Sequence, residues 1–119
     1  THAQAIMTRL QMISGHGDLL FPGQRSANRP ISDMTINGAL RRLGYGKDQV
    51  SAHGFRATAR TLLDEVLHYR VEIIEMQLGH TVRDANGTAY NRTQFIDDRR
   101  EMMQAWSDYL DTLAGDHDR

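Results

Sequence analysis

His53 and Arg56 in HGFRATART, His80 in QLGH and Tyr90 in AYNR form an ordered set whose side chains suit one reaction: breaking a phosphodiester with a tyrosine hydroxyl and no metal. Phosphoryl transfer asks a protein chiefly to align a nucleophile and to stabilise charge on the non-bridging oxygens. Arg56 and the two histidines are donors to those oxygens, and Tyr90 can attack phosphorus to give a covalent phosphotyrosine. A histidine, with His53 the first choice, takes the phenol proton. Because the covalent link keeps the bond energy, a free hydroxyl can reverse it. That suits DNA strand transfer better than hydrolysis.

Each residue alone also has a plain structural reading. Arg56 could reach an acid elsewhere in the fold, and His53 could be a cap or a core histidine. His80 follows Gly79 at a helix end, where histidines meet orphan carbonyls. Tyr90, between Ala89 and Asn91, could pack in a core or lie on a surface. The ordered combination is what points to chemistry.

These residues need elements to position them. Ser51 is a good N-cap, so His53 and Arg56 fall in the first turns of a helix running to about Leu67, with Phe55, Ala59, Leu62, Leu63 and Val66 as its core stripe. Three residues apart, they share a face, and a helix start offers N–H groups and a positive dipole end to an anion. Ala52 and Arg60 lie four residues to either side of Arg56, which leaves it without a local acid, whereas Arg60 can pair with Asp64.

Upstream, Ile6, Leu10 and Ile13 make one face of a helix closed by Gly15 and Gly17. Leu19-Leu20-Phe21 suits one brief strand stopped by Pro22-Gly23, and GQRSANRP follows as a polar loop. Ser32 or Asp33 caps a helix carrying Met34, Ile36, Leu40 and Leu43, ended by Gly44. Downstream, Val71 to Leu78 forms a shorter helix ended by Gly79, and a turn at Asn86-Gly87 feeds a short helix holding Tyr90. The last helix, roughly 94–114, aligns Phe95, Met102, Met103, Trp106, Tyr109, Leu110 and Leu113 opposite an acidic face. The expected fold is mainly α, with about five to six helices and at most one short strand.

The chain has 119 residues, and 39% of them are hydrophobic and 24% charged. That is one domain's worth of globular sequence, with no internal boundary expected across 1–119. No apolar run approaches the roughly 18 residues of a membrane span, and no signal peptide is evident. The chain contains no cysteine, which excludes disulfides and thiolate metal sites and suits a reducing, cytoplasmic compartment. The net charge of -1 hides an asymmetry: residues 1–94 carry eleven Lys and Arg against eight Asp and Glu, residues 95–119 three against seven. Thirteen of the fourteen basic residues are arginine, whose fork matches phosphate geometry. The chain opens on Thr1 inside an expected helix, as an excised piece of a longer protein would.

At LLFP, RPISDMTINGALRRLGY, HGFRATARTLL, QLGH and AYNRTQFIDDRREMMQAWSDYL, the chain resembles the tyrosine recombinases, specifically the integrases of prophages and genomic islands. The resemblance implies that His53 and Arg56 are that family's central His and second Arg, His80 its later His-or-Trp position, and Tyr90 its nucleophile. It implies a 3′-phosphotyrosine with a free 5′-hydroxyl, no metal or other cofactor, and double-stranded attachment sites held by a homotetramer. Accessory DNA-bending proteins and action at the bacterial nucleoid fit the same picture. Arg41, Arg42, Arg60 and Arg92 are the candidate DNA contacts. The family's first Arg with its acidic neighbour, and its hairpin Lys, find no counterpart here. Lys47, the single lysine, sits in a Gly-Lys-Asp turn and is not assigned that role. The chain therefore reads as the C-terminal half of the catalytic domain, and alone it is expected to be inactive or nearly so. Its terminal helix packs either in cis or on a neighbouring protomer.

Rival readings are a non-catalytic helix-turn-helix module around Ile36 and Phe55, which leaves His80 and Tyr90 without a role, and a metal-dependent phosphodiesterase using His53, His80 and Asp84, which lacks a recognisable ligand spacing. A type IB topoisomerase shares the chemistry, but the integrase-like segments outside the site favour recombination.

Overall fold

The computed structural model describes residues 2–80 and 95–115. Among them are five helices, α1 (His2–Ser14), α2 (Met34–Arg42), α3 (Ala52–Glu65), α4 (Val71–Gln77) and α5 (Ile96–Gly115), and two strands, β1 (Pro22–Gly23) and β2 (Ser26–Pro30). The mainly α expectation holds. The turn and short helix expected around Tyr90 lie outside the described residues. No described helix is long and apolar enough to cross a membrane. The chain divides into two compact units, Thr1–Gly54 and Phe55–Arg119.

In the first unit, α1 forms at the expected place, but its Ile6 and Ile13 face is open, with Ile13 78% exposed. At its end the Ser14 hydroxyl lies 3.2 Å from the Leu10 carbonyl and 3.1 Å from the Leu20 carbonyl, with one proton to give to either. The expected strand at 19–21 is instead a hairpin just beyond it. β1 and β2 pair antiparallel with Pro22 opposite Pro30, and the Ile31 N–H reaches the Phe21 carbonyl at 3.0 Å. β2 occupies the stretch expected to be loop. All five of its residues are exposed, so it carries no alternation of apolar and polar residues to reveal a strand.

α2 begins without a side-chain cap at Asp33; the Ser32 and Thr35 hydroxyls bond to each other at 3.0 Å instead. Its end is as expected. Gly44 takes φ +95°, and the N–H groups of Gly44 and Tyr45 return to the carbonyls of Arg41 and Leu40, a Schellman closure that only a residue tolerant of positive φ completes without strain.

The core lies in the second unit. Leu63 of α3, Ile73 and Ile74 of α4 and Met102 of α5 are buried together, with Leu67, Tyr69, Leu78, Phe95 and Trp106 packed around them. Burying side chains of this size stabilises by about 1.5–3 kcal/mol each. The stripe expected along α3 is only partly used: Leu63 is buried, whereas Phe55 and Val66 stay exposed, because α3 meets this cluster near its C-terminal end. On α5, Met102 is sealed, while Met103, Leu110 and Leu113 remain on the surface. Arg99 Nε donates to Gln77 Oε1 at 2.8 Å and ties α5 to α4. The Arg70 guanidinium lies 5.3 Å from the centre of the Phe95 ring, a cation–π contact at the start of α5.

Candidate functional site

Ser51 caps α3 as its sequence suggests. Its hydroxyl accepts the Gly54 N–H at 3.0 Å, and Asn37 Oδ1 accepts the Ala52 N–H at 2.9 Å. Two of the N–H groups that a helix start leaves open are thus already taken. The anion site expected there from bare backbone therefore shrinks, and the dipole and side chains carry what remains. His53 sits in this first turn with an exposed side chain, three residues before Arg56 on the same helix.

Arg56 and His80, far apart in the chain, meet directly. Arg56 Nη2 donates to the Leu78 carbonyl and approaches His80 Nε2 at 3.2 Å. A guanidinium has only donors, so the His80 Nε2 that faces it must accept, and the ring proton belongs on Nδ1. That nitrogen contacts Glu75 Oε2. The other carboxylate oxygen, Oε1, accepts from Arg60 Nε at 2.7 Å. Arg60, Glu75, His80 and Arg56 form one hydrogen-bonded chain across α3 and the end of α4.

His80 reaches this position through the way α4 ends. Gly79 takes φ +76°, its N–H returns to the Met76 carbonyl at 3.1 Å, and the His80 N–H returns to the Glu75 carbonyl at 2.9 Å. In this Schellman closure the residue after the glycine folds back over the residue five before it. His80 is therefore clipped to Glu75 by backbone and side chain at once.

Accepting the His80 N–H holds the Glu75 carboxyl below the usual carboxylate range, with burial opposing and Arg60 adding to the lowering. Glu75 thus contacts both Arg60 and His80, whereas Arg56 has no direct carboxylate partner among the described residues and presents an exposed positive edge beside His80. Such a pair suits a phosphate oxygen. Elsewhere burial, followed by the Glu101 charge, raises the Tyr69 phenol above its ordinary pKa.

Of the four residues expected to do chemistry, the structure joins Arg56 and His80 and sets His53 one helical turn before Arg56. Tyr90 lies outside the described residues, as do Arg92 and Asp84. Among the described residues no three His, Asp or Glu side chains group to hold a metal. The other basic candidates differ from one another. Arg41 is turned inward, donating from Nη1 to the Tyr45 carbonyl at 2.6 Å and from Nη2 to the Val50 carbonyl. Arg60 is engaged by Glu75 more closely than by the expected Asp64, at 3.9 Å. Arg42 is exposed. Sequence reasoning missed Glu75. Its signal was positional: an acid five residues before a histidine that follows a helix-ending glycine. The segment 43–51 between α2 and α3 is longer than the 3–4-residue turn of a helix-turn-helix.

No family model matches the chain, and no solved structure does. Among curated proteins it is similar to the integrase of Enterobacteria phage P4, 44% identical over 111 residues that cover 92% of this chain and 25% of that protein. It is 36% identical over 113 residues to the putative protein IntB of Escherichia coli K12, covering 93% of this chain and 28% of that protein. It is 38% identical over 108 residues to the prophage integrase IntA of the same strain, covering 91% and 26%. The chain spans about a quarter of the length of these relatives.

Proposed function

Along the residues it spans, this chain belongs with the phage and prophage integrases, and we propose that the protein carries out site-specific DNA recombination through a covalent phosphotyrosine. The observation that carries the reading is the direct contact of Arg56 with His80, a guanidinium and an imidazole converging where an exposed anion can replace the bond between them. On this reading the scissile phosphate enters there, with non-bridging oxygens accepting from Arg56 and, once Nε2 carries a proton, from His80. The Tyr90 hydroxyl attacks phosphorus, the bond from phosphorus to the 5′ oxygen breaks, and His53 takes the phenol proton. The departing 5′ oxygen leaves as a hydroxyl after gaining a proton. Attack by the 5′-hydroxyl of a second DNA strand then releases Tyr90 and completes the exchange. No metal or cofactor enters these steps.

The chain supplies part of the catalytic domain on this reading, and the remaining donors, an arginine and a lysine, come from the longer protein. Attachment-site DNA, a homotetramer and a cytoplasmic setting follow from the same reading. Tyr90→Phe in the full-length protein tests it. The expected result is unchanged DNA binding and loss of the covalent protein–DNA species that the wild type forms on a nicked substrate, in the presence of a chelator. Retention of that species by the variant would overturn the assignment, and a wild type that binds DNA without ever cleaving it would favour the helix-turn-helix module.

A further inference from the structure

We propose that Glu75 is a positioning residue for His80, and that Arg60 acts as its anchor rather than as a DNA contact. The proposal rests on the recombinase reading for its consequence but on hydrogen bonding for its substance. His80 is exposed at the end of α4, where a free imidazole would sample several orientations and both neutral tautomers. Three contacts remove that freedom. The backbone N–H of His80 bonds to the Glu75 carbonyl, its Nδ1 bonds to Glu75 Oε2, and its Nε2 lies against Arg56.

A carboxylate behind Nδ1 fixes which nitrogen carries the proton and which way the ring points, as second partners of working histidines commonly do. Glu75 itself could swing away, but its other oxygen is held by Arg60 Nε at 2.7 Å, and the Glu75 side chain is only 20% exposed. The order of action is then Arg60 to Glu75 to His80, with Nε2 delivered beside the Arg56 guanidinium. Neither Glu75 nor Arg60 need touch DNA. This also accounts for an arginine whose charge is already matched: Arg60 pairs with Glu75 and lies 3.9 Å from Asp64, so little of its charge remains for a phosphate.

The test uses the full-length protein with Glu75→Gln, Arg60→Met and the double variant, on a nicked attachment-site duplex. Three quantities are read: the DNA dissociation constant and its salt dependence, the first-order rate of covalent complex formation once DNA is bound, and the ¹⁵N shifts of the His80 ring. The expected wild-type shifts are those of an Nδ1–H tautomer. Glu75→Gln should leave DNA affinity within about twofold and slow covalent complex formation by about 10- to 100-fold. Arg60→Met should slow it in the same way without changing the salt slope, and the double variant should be no slower than the slower single variant, because the two act in series.

An unchanged rate in Glu75→Gln, an Nε2–H tautomer in the wild type, or a salt slope reduced by about one in Arg60→Met would overturn the proposal. So would a loss of affinity in Glu75→Gln that matches the loss of rate, since that marks a merely structural role. If the wild type forms no covalent complex, the recombinase reading fails, and the ring shifts alone then decide whether Glu75 sets the His80 tautomer.

Discussion

Arg56 Nη2 stands 3.2 Å from His80 Nε2, although 24 residues separate the two in the chain. The contact requires α3 and the end of α4 to pack against each other, which the Leu63, Ile73 and Ile74 cluster accomplishes a few residues away. Site and core are thus one construction, and they can be probed separately.

Replacing Arg56 by lysine keeps the charge but loses the planar guanidinium whose Nη2 reaches both the Leu78 carbonyl and His80. In the full-length protein, Arg56→Lys is expected to slow covalent complex formation by about 10²–10³-fold. The melting temperature should hardly move, since Arg56 is exposed. A fall of several degrees with normal cleavage would make Arg56 structural.

Leu63 is 2% exposed and Leu110 is 44% exposed. Leu63→Ala should therefore cost about 2–5 kcal/mol in urea unfolding, and Leu110→Ala well under 1 kcal/mol. Equal losses would mean that Leu110 is covered in the intact protein, as a terminal helix packed on a neighbouring protomer requires.

Arg41 and Arg42 are adjacent but serve different ends. Arg41 ties the end of α2 to the Tyr45 and Val50 carbonyls, so Arg41→Met should destabilise by roughly 1–3 kcal/mol. Arg42 is exposed, and Arg42→Ala should leave stability unchanged while lowering the slope of log affinity against log salt by about one if it meets a phosphate. Parallel unfolding and DNA titrations of the two variants check both halves.

Glu75 gives a pH dependence with a definite sign. Its folded carboxyl binds a proton less readily than an ordinary carboxylate, mainly because it accepts from His80. The unfolded chain therefore takes up that proton first as pH falls. The stabilisation is fully present above the ordinary value of 4.5 and is lost as pH drops through the lowered folded value. Urea midpoints measured from pH 6 downward should fall less steeply in Glu75→Gln than in the wild type; identical acid limbs would show that the carboxylate is not held as described.

Three helix ends were legible in the sequence because they are local. Ser51 caps α3, and Gly44 and Gly79 close α2 and α4, each through bonds spanning at most five residues. The hairpin was not legible: β2 is exposed on both faces, and two-sided exposure leaves no periodicity to read. The amphipathic face of α1 was legible, but its exposure was not, since a pattern of apolar residues marks a side suited to burial and never supplies the partner.

The sequence by itself determined the types and order of His53, Arg56, His80 and Tyr90, the helix that carries the first two, and the kinship with integrases. Only the tertiary structure decided which long polar side chains meet. An arginine reaches any acceptor within several ångströms, and packing alone selects among them. That selection turned Arg41 onto the Val50 carbonyl, gave Arg60 to Glu75 instead of leaving it with Asp64, and brought Arg56 to His80. Glu75 had no motif to announce it. It acquired a role because Gly79 folds His80 back over it and because α3 lies close enough for Arg60 to hold it there.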